Sequence, residues 1–190
     1  MPTPIEIVHH EDRTRVPWKN GAGFTEEIAV DDAWRISVAD LGADPTLFSA
    51  FAGRARVFTV IGDFGVTFEI DGQPTSIAPL EPFPFDGALT PTCVPDGPTK
   101  AFNIMVDDAS RAATVQRVDL TEQSVTTDPD AVTAVYVHLG RAGDAGPGDC
   151  LLVRHESIEI AGTATVLVAV IREIRHRMPE ATAEQAPASH

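Results

Sequence analysis

Hydrophobic and polar residues alternate along several short stretches of this chain. The clearest is Phe64–Ile70, where four apolar side chains at every second position fall on one face of an extended strand. Asp71-Gly72 follows at once, a pair typical of tight hairpin turns, and Pro74–Ala78 then runs back beside the first strand. The pattern predicts a β-hairpin.

Other stretches have strand length and strand composition. Trp34–Val38 alternates, Arg56–Ile61 is apolar on both faces, and Val132–Leu139 is rich in β-branched residues. Val166–Ile174 favours a strand as well, although the start of a helix also fits it. A short helical connector is expected near Asp44–Phe51. Short strands joined by turns are typical of an all-β sandwich or barrel.

The composition supports the same fold class. The 190 residues include 15 Pro and 14 Gly, which weaken helix interiors, and 43% of the chain is hydrophobic, which is enough for a core. The length fits one well-cored domain or two small fused lobes. The polar stretch Thr121–Asp130 is predicted to connect the lobes, and Pro179–His190 has the composition of a disordered tail.

The charge, the apolar runs and the cysteines argue against several classes of protein. A net charge of -14 argues against a nucleic-acid partner, because binding to phosphates needs an excess of Lys and Arg. The longest apolar run, Val166–Ile171, is too short to span a membrane, and residues 1–15 lack the apolar core of a secretory signal. Cys93 and Cys150 allow at most one disulfide. We expect a soluble, cytoplasmic protein.

The most unusual segment is Pro17–Ile28, which combines an aromatic residue, an amide, glycines, a hydroxyl and acids within twelve residues. Gly21 and Gly23 permit close backbone approach, and Asn20 presents both a donor and an acceptor. Composition alone favours a Gly-rich turn between two strands, with Trp18 in the core. The glycine spacing is not that of a phosphate-binding loop.

Five blocks of residues, in order across residues 17–105, resemble the HutD/Ves family. They are Trp18-Lys19-Asn20-Gly21-x-Gly23-x-Thr25-x-Glu27-Ile28, Trp34-Arg35-Ile36-Ser37, Phe48-Ser49-x-Phe51-x-Gly53-x-x-Arg56, Pro82-Phe83-x-Phe85 and Gly97-Pro98-Thr99-Lys100-x-Phe102-Asn103-Ile104-Met105. Beyond residue 110 the resemblance is diffuse. It implies a bicupin, two small β-barrels fused in one chain, with an N-terminal lobe over residues 1–110, a C-terminal lobe over 111–178 and a tail over 179–190.

The resemblance also implies a biological setting. HutD proteins accompany histidine-utilisation genes and are thought to bind a pathway metabolite such as urocanate, or a small carboxylate such as formate. Ves proteins are similar in sequence and are linked to stress or cold responses. The blocks do not separate the two branches.

Arg56 is the first candidate for a ligand contact, because it begins an otherwise apolar strand and a partly buried guanidinium needs a partner. A ligand carboxylate would supply one; an internal ion pair with Glu27 is the alternative. A mostly apolar pocket with a few convergent polar groups is the usual design of a ligand site. The predicted ligand-binding set is Trp18 and Phe85 as aromatic walls, with Asn20, Thr25, Glu27, Ser37, Arg56 and Asn103.

A metal centre is not expected, and neither is any other cofactor. Many cupins hold a metal through a His-x-His pair with a later Glu and His, and no His-x-His occurs here. His9 and His10 are neighbours and would diverge on a strand. The remaining candidates, His138 with His155 and Glu156, are interpreted as structural residues.

The leading hypothesis is a binding module that senses or buffers a small carboxylate metabolite. The alternatives are a metal-free cupin enzyme of isomerase or lyase type with Glu27 as general base, and a stress-linked interaction protein whose pocket is vestigial. Edge strands of open barrels often pair, so a homodimer is compatible with the sequence.

Overall fold

A computed structural model describes residues 4–18, 21 and 23–174. Apart from one turn of 3-10 helix, His10–Asp12, the regular structure in these residues is entirely β. The strands are β1 Ile5–Val8, β2 Thr14–Pro17, β3 Gly23–Val30, β4 Trp34–Leu41, β5 Thr46–Leu47, β6 Arg54–Val60, β7 Val66–Ile70, β8 Gln73–Ile77, β9 Pro82–Asp86, β10 Thr92–Pro95, β11 Thr99–Asp107, β12 Arg111–Asp119, β13 Val125–Thr126, β14 Ala131–Ala142, β15 Cys150–Arg154, β16 Glu159–Ile160 and β17 Gly162–Glu173. The predicted all-β fold is confirmed.

The first lobe consists of strands β2 to β11, arranged in two sheets. Six strands form one sheet in the order β2-β3-β4-β11-β6-β9, and four form the other in the order β5-β10-β7-β8. Fully buried Phe58 and Phe68 meet between the sheets, their ring centroids 4.8 Å apart. Aromatic side chains therefore dominate the interior of this lobe.

The second lobe consists of β12 to β17 together with β1. Five strands form one sheet in the order β1-β15-β14-β17-β12, and β13 pairs with β16. Its interior is built from aliphatic side chains such as Val135, Leu151 and Val166. Because β1 pairs with β15, residues 5–8 belong to this sheet although they begin the chain.

The large sheets of the two lobes pack against each other through their outer faces. Ile36 and Ile104 of the first lobe lie in one apolar cluster with Leu152 and Leu167 of the second. Period-2 alternation thus gives the central strands two buried faces, one toward the lobe interior and one toward the other lobe.

The structure confirms the predicted hairpin and corrects the expectation of a helical connector. β7 and β8 are antiparallel, and their last pair, Ile70 with Gln73, encloses the turn Asp71-Gly72. The φ angles of these two residues, 50° and 75°, suit a two-residue hairpin turn. The helix expected near Asp44–Phe51 is wrong, because that segment contains β5, which pairs with β10. The strand predicted over Val166–Ile174 is confirmed, since Val166 to Glu173 belong to β17.

The stretch Thr121–Asp130 does not connect the lobes. It lies between β12 and β14, which both belong to the five-stranded sheet, and its own β13 pairs with β16. The chain crosses from the first lobe to the second at residues 108–110, between β11 and β12. That prediction was wrong because polarity marks surface loops generally. Among the described residues, no helix is long and apolar enough to cross a membrane.

Candidate functional site

The inner face of the six-stranded sheet brings most of the predicted ligand-binding residues together. One row of paired residues runs across it from Arg35 through Met105 and Arg56 to Phe85. The next row runs through residues 27, 37, 103 and 58, that is, Glu27, Ser37, Asn103 and Phe58. Directly paired residues share a face, so all these side chains point toward the interior of the first lobe.

Within these rows we define the polar cluster as Glu27, Arg35, Arg56 and Asn103. Three of its nitrogen or oxygen atoms are buried and make no hydrogen bond to the described residues: Arg35 Nε, Arg56 Nη1 and Asn103 Oδ1. Buried polar atoms are almost always paired, so three unpaired ones on one face of one sheet require an explanation.

Arg56 lies against aromatic rings rather than against an acid. Its guanidinium carbon is 4.8 Å from the ring centroid of Phe85, 5.3 Å from that of Phe48 and 5.6 Å from that of Phe51. Burial and, second to it, the nearby charge of Arg35 together lower the pKa of Arg56 to about 10. The guanidinium is therefore held in an environment that disfavours its charge, and an anion would relieve that cost.

Glu27 pairs with Arg35 and not with Arg56. An Nη2 of Arg35 donates to Oε1 of Glu27 at 2.9 Å, with both side chains about one third exposed (33% and 37%). The internal ion pair considered as the alternative partner of Arg56 is thus used by its neighbour. The positive charge of Arg56 remains without an ion pair among the residues that the structure describes.

Asn103 presents an acceptor to the interior. Its Nδ2 donates to the carbonyl oxygen of Ala101 at 3.3 Å, which leaves Oδ1 as the unpaired atom. Ser37, on the neighbouring strand, is buried with 6% of its surface exposed.

Trp18 and Thr25 lie at the β2–β3 end of the same lobe and bind each other. The indole Nε1 of Trp18 donates to Oγ1 of Thr25 at 2.8 Å, and its ring meets Phe48 edge-on at 6.2 Å. Gly23 makes this possible, because a Cβ there would lie 3.2 Å from the Trp18 ring and 2.5 Å from the carbonyl oxygen of Asp40. The backbone N–H of Trp18, which follows β2, donates to the carbonyl oxygen of Gly23, which begins β3, at 2.9 Å. Asn20 lies outside the described residues.

Three contributors to the site were missing from the predicted set. Arg35 supplies one of the unpaired buried atoms, and Phe48 and Phe51 supply two of the three rings around Arg56. Alternation could have found Arg35, which lies two positions before Ser37 and so shares its face. Phe48 and Phe51 follow irregular backbone around β5, where no period links them to Arg56.

A cavity of about 340 Å³ borders the site from the other side of the sheet. Its lining includes Arg56 and Phe85, but also Val57 and Val106, which belong to the apolar cluster between the lobes. The side chains of Val57 and Arg56 alternate on β6 and point to opposite faces. The Arg56 guanidinium, stacked on Phe85 and Phe48, faces the lobe interior rather than this cavity.

No group of three His, Cys, Asp or Glu side chains within the described ranges is arranged to hold a metal ion. His138 lies at a β-bulge of β14, where burial lowers its pKa and the charge of Arg117 lowers it further. His155 follows β15 with a φ of 56°. Cys93 and Cys150 are both buried and free.

Relatives of known structure share this architecture. The structure of HutD from Pseudomonas fluorescens SBW25, solved in a formate condition, superposes with a TM-score of 0.79 at 30% identity and covers 90% of this chain and 100% of that one. A cupin 2 conserved barrel domain protein from Leptotrichia buccalis matches with a TM-score of 0.56 at 11% identity, over 79% of this chain and 88% of that one, which speaks for the fold alone. The fold is that of a bicupin.

The sequence points to the same family. An uncharacterized 21.2 kDa protein in the hutC 3' region of Pseudomonas putida is 34% identical over 128 residues, 63% of this chain and 67% of that protein. The HutD family model matches residues 10–173, which include the polar cluster and strands β2 to β17. The resemblance to Ves proteins stays a prediction. This chain belongs to the HutD family.

Proposed function

We propose that this protein is a small-molecule-binding HutD cupin whose first lobe binds a small carboxylate metabolite, urocanate-like or formate-like, in histidine utilisation. The observation that carries the proposal is the Arg56 guanidinium, buried among aromatic rings with Nη1 unpaired by the described residues. A carboxylate can accept two parallel hydrogen bonds from a guanidinium. Because both groups are charged, these bonds are stronger than those between neutral groups.

The surroundings of Arg56 support an anionic ligand despite the net charge of the chain. Two arginines and one glutamate of the polar cluster give it a local excess of one positive charge. Charges farther away than about 8 Å are largely screened at physiological salt. The local guanidinium therefore outweighs the distant acids of the surface.

The relatives supply the pathway part of the proposal. One of them is named for its place beside hutC, and the solved structure of HutD was obtained in a formate condition. The homodimer and the cytoplasmic location stay predictions. The enzyme alternative has less support, because the carboxylate proposed as its base is bonded to Arg35.

Thermal unfolding against a ligand panel tests the proposal. The panel contains urocanate, formate, histidine, formiminoglutamate and divalent metal ions, added to protein stripped of metal. A ligand at a hundredfold its Kd adds about 2.7 kcal/mol to the free energy of unfolding. For a chain of this size that raises the midpoint by roughly 5–10 °C.

Two arginine variants make the test specific. Arg56→Met removes the proposed anchor, and Arg117→Met removes the same charge from an exposed position on β12. We expect a carboxylate-induced shift in the wild type and in Arg117→Met, and none in Arg56→Met. A shift in Arg56→Met equal to that of the wild type, or a shift with metal ions alone, would contradict the proposal.

A further inference from the structure

We infer that the ligand carries a hydrogen-bond donor, N–H or O–H, in addition to its carboxylate, and that Asn103 is the residue that selects for it. This inference rests on the proposed function, since it assigns a second contact in the same site. Within the polar cluster, Arg56 binds the carboxylate and Asn103 accepts a hydrogen bond from the donor group of the ligand.

The Oδ1 atom of Asn103 cannot have a carboxylate oxygen as its partner. Oδ1 only accepts hydrogen bonds, and it is buried and unpaired among the described residues. The orientation of the amide follows from Ala101, because exchanging Oδ1 and Nδ2 would place Oδ1 against a carbonyl oxygen 3.3 Å away. A ligand group that donates therefore satisfies Asn103, and a bare acceptor does not.

The strand register places the two contact residues next to each other on the sheet. Asn103 is paired with Phe58, and Arg56 lies two residues before Phe58 on the same strand. The two positions are thus diagonal neighbours on one face, which lie about 7–8 Å apart in a sheet. A ligand with a carboxylate and a separate donor group can therefore contact both residues at once. Formate, with a single carbon, can satisfy Arg56 alone.

Arg35 limits where the carboxylate can bind. Its Nη2 donates a hydrogen bond to Oε1 of Glu27 at 2.9 Å. Its Nε is buried and makes no hydrogen bond to a described residue. Both arginines are donors, so the arginine row attracts the carboxylate end of the ligand. The acceptor of Asn103, in the next row, receives the donor end.

A pair of probes that differ at one ring atom tests the inference. The propenoates of pyrrole and furan, each attached at the ring carbon beside the heteroatom, have the same shape and carboxylate. Only the pyrrole compound has an N–H. Isothermal titration measures both, and formate, against the wild type and against Asn103→Leu. Asn103→Ala serves as a second variant, in case leucine at this position prevents folding.

We expect the wild type to bind the pyrrole probe roughly tenfold to a hundredfold more tightly than the furan probe, because the furan leaves a buried acceptor unpaired. Both Asn103 variants should lose this preference and still bind the furan probe. Equal binding of the two probes by the wild type, with Arg56 still required, would refute the inference and leave the proposed function standing. A preference that persists in both variants would also refute it. If neither probe nor formate binds, both proposals fail together.

Discussion

The two lobes have similar sandwich architecture but differ in what fills them. The interior of the first contains phenylalanine rings in tilted and edge-on contact and a polar cluster with unpaired guanidinium and amide atoms. The interior of the second is a closely packed aliphatic cluster that includes Val135, Val166 and Leu151. Its buried unpaired hydroxyl, on Thr133, is a neutral group. The unpaired charged and amide groups therefore lie in the lobe that we propose binds the ligand, and the second lobe has an aliphatic interior.

The first lobe bears the larger cost in stability, because its unpaired atoms include guanidinium nitrogens. Unpaired buried polar atoms destabilise a fold, whereas close-packed methyl groups stabilise it. A lobe that keeps Arg56 unpaired gives up stability that another side chain would supply. A local loss of stability of this kind is typical of functional sites.

The largest expected effect is on stability, in the second lobe. Leu151→Ala removes a side chain that is 3% exposed in the aliphatic interior. Denaturant unfolding should show a loss of about 2–5 kcal/mol, as for other buried leucines. Affinity for a small carboxylate should stay unchanged.

The control for this variant is Leu47→Ala in the first lobe, whose side chain is 62% exposed. It should alter the free energy of unfolding by less than about 0.5 kcal/mol. A loss of ligand affinity in a folded Leu151→Ala protein would show that the second lobe takes part in binding.

A smaller stability effect is expected where the chain passes between the lobes. Residues 9–13 lead from β1 in the second lobe to β2 in the first, and Asp149 holds them. Its carboxylate accepts from the backbone N–H of His10 at 3.0 Å and of Gly146 at 2.9 Å, and its oxygens lie 3.2 and 3.3 Å from the Nδ1 atoms of His9 and His10. Asp149→Asn should cost about 1–3 kcal/mol, because the amide cannot accept all these bonds.

This contribution depends on pH. Burial would raise the pKa of Asp149, but the hydrogen bonds from Gly146 and His10 outweigh it and hold the pKa well below its usual range. A carboxyl group of this kind stabilises the fold above its unfolded pKa of about 3.9, and the contribution is lost as the pH falls through the folded value. The difference between the wild type and Asp149→Asn should shrink below about pH 4. A difference that grows in acid would contradict this account of Asp149.

The variant Arg56→Met tests whether Arg56 in the first lobe contributes to stability. A methionine among Phe48, Phe51 and Phe85 keeps the apolar contacts and removes the unpaired charge. The free energy of unfolding without ligand should fall by no more than about 1 kcal/mol, or rise. Chemical denaturation measures it. A loss as large as that of Leu151→Ala would show that Arg56 serves the fold.

The smallest effect is expected from Glu27→Gln. It removes the negative charge beside Arg35 and makes the cluster more attractive to an anion. Because this ion pair is about one third exposed, the gain in carboxylate affinity should be only about twofold to fivefold. Titration of the ligand measures it. Turnover of a bound ligand that disappears in this variant would instead favour the enzyme alternative.

The fold could be predicted from local patterns, and part of the site could too. Period-2 alternation predicts the strand over Trp34–Val38, β-branched residues predict the strand over Val132–Leu139, and Asp71-Gly72 predicts the hairpin turn. Once β4, β6 and β11 pair, alternation alone also places Ser37, Arg56 and Asn103 on one face.

The partners within the site could not be predicted in the same way. Whether Glu27 reaches Arg35 or Arg56 depends on strand order, since both arginines share its face. Phe48 reaches Arg56 from outside the six-stranded sheet, through a loop near β5. Such contacts are set by tertiary packing, which sequence separation does not reveal.

The central claim is that the first lobe, at Arg56, holds a carboxylate. Its most direct test is a crystal structure of the wild type grown with urocanate at saturating concentration. We predict ligand density inside the first lobe, with the carboxylate oxygens about 3 Å from Arg56. Density in the cavity beside Val57 and Val106, or in the second lobe, would contradict it.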